Sequence, residues 1–412
     1  MNKLLIMTGA AMVAVAAVAG SATVEGTDFV LTETSGTYTY STAIGNYSRL
    51  VKRGAGEVEL TVAASGFAGS VVVEEGTLTI RNKDAVGSGT PVEVKSGATL
   101  YLKIPGLGQN NTAFPNHVVT IAGSGVENRG ALRYSNTSGS STGTTYQYGD
   151  NLLTKLVLSD DATIEVASRC GLFSGSSELD LAGHTLTRIG GENWMIWTHI
   201  TAGKILNTAG KMTLQGGPIF DEGVTVSFTN NSGVLSLYGI TSASSIKGTI
   251  ELNGKTIEAG SGTTLDRNHI GNVHLLGNGT FDTTSSGRAI SVDGALTGVS
   301  GKKLTVNGTG NLCLNGSVNL GGEVDKNGKG TLWLNGTTDI ANTFWCYDGT
   351  LAMTSTATRA IYVNICGNST VKMSDGLLQF KRLRVSNGSS AGSATYHQTA
   401  VSFRTNRGIR QS

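Results

Sequence analysis

Cysteine is scarce in this chain of 412 residues: Cys170, Cys313, Cys346 and Cys366 are its four. So few, so scattered, they exclude a disulfide framework, and without a Cys-x-x-Cys pair they give no zinc spacing. Proline numbers only 4, which rules out a collagen-like chain or a Pro-rich linker. Charged residues make up 15 % of the chain, against ~25 % in an average domain. The formal net charge of +2 gives no general pull toward nucleic acid or an anionic membrane. Apolar content is nonetheless 39 %, too high for simple disorder.

Long apolar runs are also missing beyond the start, and none approaches the ~20 residues that cross a bilayer. Residues 1–19 differ. Asn2-Lys3 is a short positive start, Leu4 to Val18 is apolar except for Thr8 and Gly9, and Ala17-Val18-Ala19 is a small-x-small cleavage site. This reads as a secretory signal peptide, with a membrane anchor as the alternative that its shortness disfavours. The mature chain, from about Gly20, is expected to be secreted or held at the cell surface.

What the chain has in excess is glycine, 58 residues, about twice the usual ~7 %. It punctuates a repeat. Gly56-Glu57-Val58-Glu59-Leu60, Gly76-Thr77-Leu78-Thr79-Ile80 and Gly97-Ala98-Thr99-Leu100-Tyr101-Leu102 place Leu60, Ile80 and Leu102 at spacings of 20 and 22. Later copies place Leu314, Leu334, Met353 and Met373 at spacings of 20, 19 and 20. Weaker copies end in Leu214, Leu237 and Leu252.

Alternation of period two turns one side of each strand to a core. Glycines and the Asn-Gly pairs at 253–254, 307–308, 315–316 and 335–336 supply the positive-φ residues of sharp turns. A chain that returns to register every ~20 residues winds into a parallel β-solenoid with ~4.8 Å between coils. The expectation is an all-β fold of roughly 16–19 coils, a rod of about 75–90 Å. An antiparallel sandwich or barrel is the alternative, disfavoured because its strands recur at about 8–12 residues. The domain reading is a signal peptide at 1–19, an N-terminal cap region at 20–49 centred on Thr27 to Tyr47, and solenoid repeats at 50–380. A loop excursion is placed at 104–148, the first place to seek specificity, and a basic segment at 381–412.

Residues 50–102 also carry a resemblance. Lys52-Arg53-Gly54-Ala55-Gly56, Gly66-Phe67-Ala68-Gly69, Val71-Val72-Val73 before Gly76-Thr77-Leu78, and Ala85-Val86-Gly87-Ser88-Gly89 resemble the autotransporter-associated β-strand repeat. Lys326-Asn327-Gly328-Lys329-Gly330 and Gly349-Thr350-Leu351 repeat its opening and its Gly-Thr-Leu strand. The resemblance implies a right-handed parallel β-helix, as in bacterial autotransporter passengers and surface proteins that are mostly adhesive or structural. Autotransporters end in a translocator barrel of lipid-facing strands, whereas this chain ends Arg404-Thr405-Asn406-Arg407-Gly408-Ile409-Arg410-Gln411-Ser412. A passenger fragment without its translocator is therefore a further alternative.

Many β-helical proteins cleave polysaccharides, which makes Asp160-Asp161 the candidate acid–base pair. Its position between Leu156-Val157-Leu158 and Ile164-Glu165-Val166 fits a turn equally well. Pectin-cleaving β-helices add a Gly-His-Gly and a later Arg-x-Lys. Here His184 lies in Gly183-His184-Thr185, and the sole Arg-x-Lys, Arg81-Asn82-Lys83, comes first. His117, His184, His199, His269, His274 and His397 show no metal spacing and read as surface or turn residues, with His269 and His274 on opposite sides if one strand holds both. No Gly-x-Ser-x-Gly elbow or glycine loop opens a helix.

Trp194 and Trp197 are a candidate sugar-stacking pair if exposed, and core or loop residues otherwise. Cys346 and Cys366 are 20 apart, so equivalent places on neighbouring coils are expected, as packed thiols or as a bridge. From residue 381 onward there are six basic residues, Lys381, Arg382, Arg384, Arg404, Arg407 and Arg410, and no acidic one. A solvated tail or contact with an anionic surface polymer follows.

The reading that results is an exported, non-catalytic β-solenoid with a structural or adhesive role. No cofactor, metal or nucleic acid is expected, and a monomer is. Its partners would be surface glycans or host or cell-envelope polymers. A carbohydrate-active β-helix working through Asp160 or Asp161 is the alternative.

Overall fold

The computed structural model describes residues 20–105, 114–135, 149–229, 233–242, 246–260, 267–284, 287–354, 358–373, 377–386, 395–398, 402–405 and 410–411. The signal-peptide reading of residues 1–19 lies outside them. Among the described residues there is no α-helix, and a single 3-10 turn spans Val126–Asn128.

The strands stack in parallel, coil on coil, as a β-solenoid of about 14 turns. A first ladder starts Asp28–Thr32, Arg49–Arg53, Ser70–Val73, Val92–Val94. A second starts Thr37–Tyr40, Glu57–Leu60, Thr77–Ile80, Thr99–Leu102. A third is established by Cys170–Asp180, Trp194–Ile196, Met212–Gln215 and Leu235–Tyr238. The turn count is below the 16–19 expected. The earliest turns carry strands on two ladders only, and the turns from Leu100 to Leu132 and from Leu132 to Ile164 take 32 residues each.

The repeat spacing is the register itself. Leu60 pairs with Ile80 and Ile80 with Leu102, and Leu314, Leu334, Met353 and Met373 follow one another on successive rungs. Inward columns of Leu, Ile and Val fill the interior: Leu78, Leu100, Leu186, Ile205 and Val226 are fully buried.

Three boundaries differ from expectation. Within 104–148, Phe114–Gly123 and Leu132–Tyr134 are rungs, not loop; residues 106–113 and 136–148 lie outside the described ones. Within 20–49, Asp28–Thr32 and Thr37–Tyr40 already belong to the ladders. The cap is the antiparallel strand Ser21–Glu25 on Asp28–Thr32, backed by Phe29 stacked on Tyr47 at 5.0 Å, and it covers an edge that would otherwise pair with another chain. Beyond 380 the solenoid continues through Leu377–Ser386, Thr395–Gln398, Ser402–Thr405 and Arg410–Gln411, so the described parts of the basic segment are rungs of the solenoid.

Each Lys-x-Gly-x-Gly motif closes a corner with a buried cation. The Lys52 ammonium donates to the carbonyl oxygens of Arg53 (3.0 Å), Gly54 (2.6 Å) and, one turn on, Glu75 (2.9 Å). That of Lys326 donates to Gly328 and, one turn on, to Asp348 at 3.2 Å. Arg188 does the same at another corner, donating to the Glu192 carbonyl and to Asn207 Oδ1. All three side chains are buried, and hydrogen bonds to carbonyls are what make a buried charge tolerable. Gly-Thr-Leu begins with glycine for the same reason. At Gly76, φ is +66°, and a Cβ would stand 2.3 Å from the Gly56 oxygen and 2.7 Å from Lys52 Nζ.

A polar column runs outside. His269 Nδ1 meets Asp293 Oδ2 at 2.7 Å, Asn315 donates to Asp293 Oδ1 at 2.6 Å, Asn335 to Asn315 Oδ1 at 2.7 Å, and Thr354 to Asn335 Oδ1 at 2.6 Å. Burial works to raise the Asp293 carboxyl, but the bonds from Ser291, His269 and Asn315 outweigh it and hold it below its ordinary value.

Candidate functional site

The strand Gly149–Val166 passes from the first ladder to the second through Ser159-Asp160-Asp161, where the register slips between Ile121 and Gly123 of the turn below. The expected turn is thus a corner inside one long strand. On the next turn, the bend before Thr185–Ile189 brings His184 alongside. His184 Nδ1 lies 4.0 Å from Asp160 Oδ1 and 3.9 Å from Asp161 Oδ1. One ligand atom from each lies within 4.8 Å of the others, the one such trio among the described residues.

Two of these oxygens already serve the backbone: Asp161 N–H donates to Asp160 Oδ1 at 2.7 Å, and Thr185 N–H to Asp161 Oδ1 at 2.7 Å. The carboxylates are 74 % and 72 % exposed. Hydrolytic acid–base pairs work from desolvated pockets that split their roles, and these two stand in water. The arrangement closes a corner, and its further chemical reach is a loose contact with a hard cation.

The remaining histidines correct the surface reading in one case. His117 is fully buried, stacked on Phe114 at 3.9 Å, with Nδ1 at 2.8 Å from the Thr90 carbonyl oxygen. Burial pushes its imidazole below the ordinary value. Thr90, one turn below, accepts the Nδ1 proton, which satisfies one side of the ring, whereas Nε2 is buried without a hydrogen-bond partner. His199, His269 and His274 each meet a polar residue one turn on, Asp221 (3.0 Å), Asp293 (2.7 Å) and Thr297 (2.7 Å). His269 and His274 are on two different strands with Gly271 between, not on two sides of one. The side chain of His397 lies outside the described residues.

The tryptophan pair does not form a platform: Trp194 is wholly buried, and only Trp197 reaches the surface. Cys346 pairs in register with Ile365 and Cys366 with Ser386. The one-residue offset turns Cys346 inward, where burial pushes its thiol up to about 11, and leaves Cys366 half-buried.

Sequence reasoning missed a different aromatic group. On the third ladder, Trp345 and Tyr347 hold parallel rings, 5.6 Å apart and 4° between planes. Tyr362, on the next turn, pairs in register with Thr343 and then with Arg382, whose guanidinium is 5.8 Å from the Tyr362 ring. Outward parity was the signal available: Trp345 alternates with the buried Phe344 and Cys346. The buried cations were legible the same way, since Lys326 shares the parity of buried Val324.

Compared with known proteins, the chain matches no family model, no curated protein and no solved structure. No helix among the described residues is long and apolar enough to cross a membrane.

Proposed function

We propose that the chain is an exported bacterial β-solenoid whose role is structural or adhesive and whose chemistry is binding, not turnover. Three features support the reading: the repeat-bearing fold, the signal-like residues 1–19, and the resemblance of residues 50–102 to the autotransporter-associated repeat. The observation that carries it is at the Asp160–Asp161–His184 corner. The acids best placed for polysaccharide cleavage hold backbone N–H groups of their own and the next turn and face open water.

The test has two parts. Expression in a Gram-negative host followed by fractionation and intact mass should find a mature chain beginning near Gly20 outside the cytoplasm; a full-length cytoplasmic product would overturn export. Purified protein incubated with a panel of polysaccharides should leave them intact. Cleavage abolished by Asp160→Asn or Asp161→Asn would instead establish the carbohydrate-active alternative.

A further inference from the structure

Resting on that reading of a binding surface, we propose that the outward side of the third ladder between Thr343 and Ser386 binds an acidic polysaccharide, stacked on Trp345, Tyr347 and Tyr362 and held by Arg382 and Arg384. The first ground is exposure. Among the described residues the exposed large hydrophobic side chains are Val24, Val62, Val118, Ile219, Val299, Tyr347 and Tyr362. The only aromatic ones fall together on adjacent turns, beside Trp345. Single exposed aliphatics are ordinary, whereas a local group of aromatic rings marks a contact surface.

The second ground is what flanks the rings. Register places Asp325, Trp345, Asn364 and Arg384 on four successive rungs, and Thr343, Tyr362 and Arg382 on three, two strand positions away and so on the same side of the strand. The acid at the N-terminal end of this column, Asp325, is neutralised by Lys303 at 2.8 Å. Toward the C-terminus the column passes the buried Asn364 and ends on guanidinium, both arginines are exposed, and no acidic residue occurs after Asp375. A partner must therefore bring negative charge, which an arginine fork accepts from carboxylate or sulfate with two hydrogen bonds.

The third ground is geometry. Rungs ~4.8 Å apart present one outward side chain per turn along the rod, so a linear polymer lying parallel to the axis meets aromatic rings and then guanidinium groups. Aromatic faces take the C–H face of a sugar ring, and the exposed Arg382 and Arg384 take its anionic groups. Single-stranded nucleic acid also stacks on aromatics, but its affinity comes from a long basic track along the phosphates. This chain carries +2 overall and presents two arginines here.

The experiment measures binding of purified protein to polygalacturonate, heparin, neutral dextran and a thymidine oligonucleotide at physiological salt. Polygalacturonate should bind and dextran should not. Both R382A/R384A and W345A/Y347A should weaken binding by about tenfold or more, with unchanged circular dichroism; the milder Arg382→Gln, with the salt dependence of binding, gives the same reading if a double variant folds poorly. Tighter binding of heparin than of polygalacturonate also supports the site and assigns the anion to sulfate. Absence of binding to both acidic polymers, binding indifferent to both double variants, or preference for the oligonucleotide would each overturn the proposal. Purified protein is used throughout, so a failure of export and a failure of this site are separate results.

Discussion

The ammonium of Lys52 reaches the carbonyl oxygen of Glu75 on the following turn at 2.9 Å, and the motif that carries Lys52 recurs at Lys326, bonded to Asp348 in the same way. The two copies lie on different ladders, the first and the third. What the motif encodes is therefore a corner of general use: a lysine ties two consecutive turns by bonding the carbonyl of the motif's first glycine and a carbonyl one turn on, and the glycine of Gly-Thr-Leu clears space above. A parallel stack lacks the hairpin's tight local closure, so such ties between turns fix the register where a chain of short strands is otherwise prone to slip.

Replacing Lys52 by methionine keeps the length of the side chain and takes the lysine donor from the Gly54 and Glu75 carbonyls, while the Arg53 carbonyl keeps the Glu33 N–H at 3.1 Å. Leaving buried acceptors unsatisfied costs ~1–3 kcal/mol, which urea unfolding should read as a lower midpoint. The pH profile is the sharper test. Burial holds the folded Lys52 amine down to about 8 from its ordinary 10.5, so between those values the unfolded chain binds the proton more tightly and stability rises with pH. Lys52→Met should flatten that rise; an identical slope in both proteins would refute the assignment.

Gly76→Ala should destabilise by several kcal/mol, since the left-handed backbone alone costs ~1–2 kcal/mol for an L-residue and the added methyl meets Gly56 and Gly54 oxygens at 2.3 and 2.4 Å. Gly66→Ala is the internal control, with nothing within 4 Å of its added methyl and no positive φ. Its melting midpoint should stay near that of the parent. Equal losses at the two sites would mean that the corner is looser than the geometry indicates.

The architecture was legible because its signals are local: alternation within four residues and a spacing near 20 that is the register itself. Long turns were not, because nothing in the composition of 104–148 marks Phe114–Gly123 and Leu132–Tyr134 as rungs separated by insertions. The equal spacing of Cys346 and Cys366 misled for a definite reason. The offset between turns is 20 at Ile340–Ala360, falls to 19 from Thr343 to Cys346, and returns to 20 at Asp348–Asn368, so an irregularity on each side moves Cys366 out of line. Side-chain pairs across turns, such as His269 with Asp293, depend on such offsets and emerge only when the coil is built.

Acid should loosen the turn around His117. Its buried imidazole is held below its ordinary 6.5, chiefly by burial, with the Thr90 backbone bond opposing. As pH falls through 6.5 the unfolded chain takes up this proton first, and stability declines. In His117→Gln the decline below pH 6.5 should be shallower, followed by thermal melts in matched buffers. A variant as acid-sensitive as the parent would place that sensitivity elsewhere.

The asparagine column makes a prediction about coupling, not size. Asn335 donates to Asn315 at 2.7 Å and accepts from Thr354 at 2.6 Å, while Asn315 donates to Asp293 at 2.6 Å. Each bond is exposed, so Asn335→Ala should cost only ~0.5–1.5 kcal/mol. Loss of Asn335 frees the Oδ1 of Asn315, however, and leaves the amide of Asn315 less constrained toward Asp293. A double-mutant cycle between Asn315→Ala and Asn335→Ala should then show an interaction energy of ~0.5 kcal/mol or more, the signature of groups in one hydrogen-bonded network. Strict additivity would show that the column is a row of independent contacts, with the apolar interior alone setting the register of these turns.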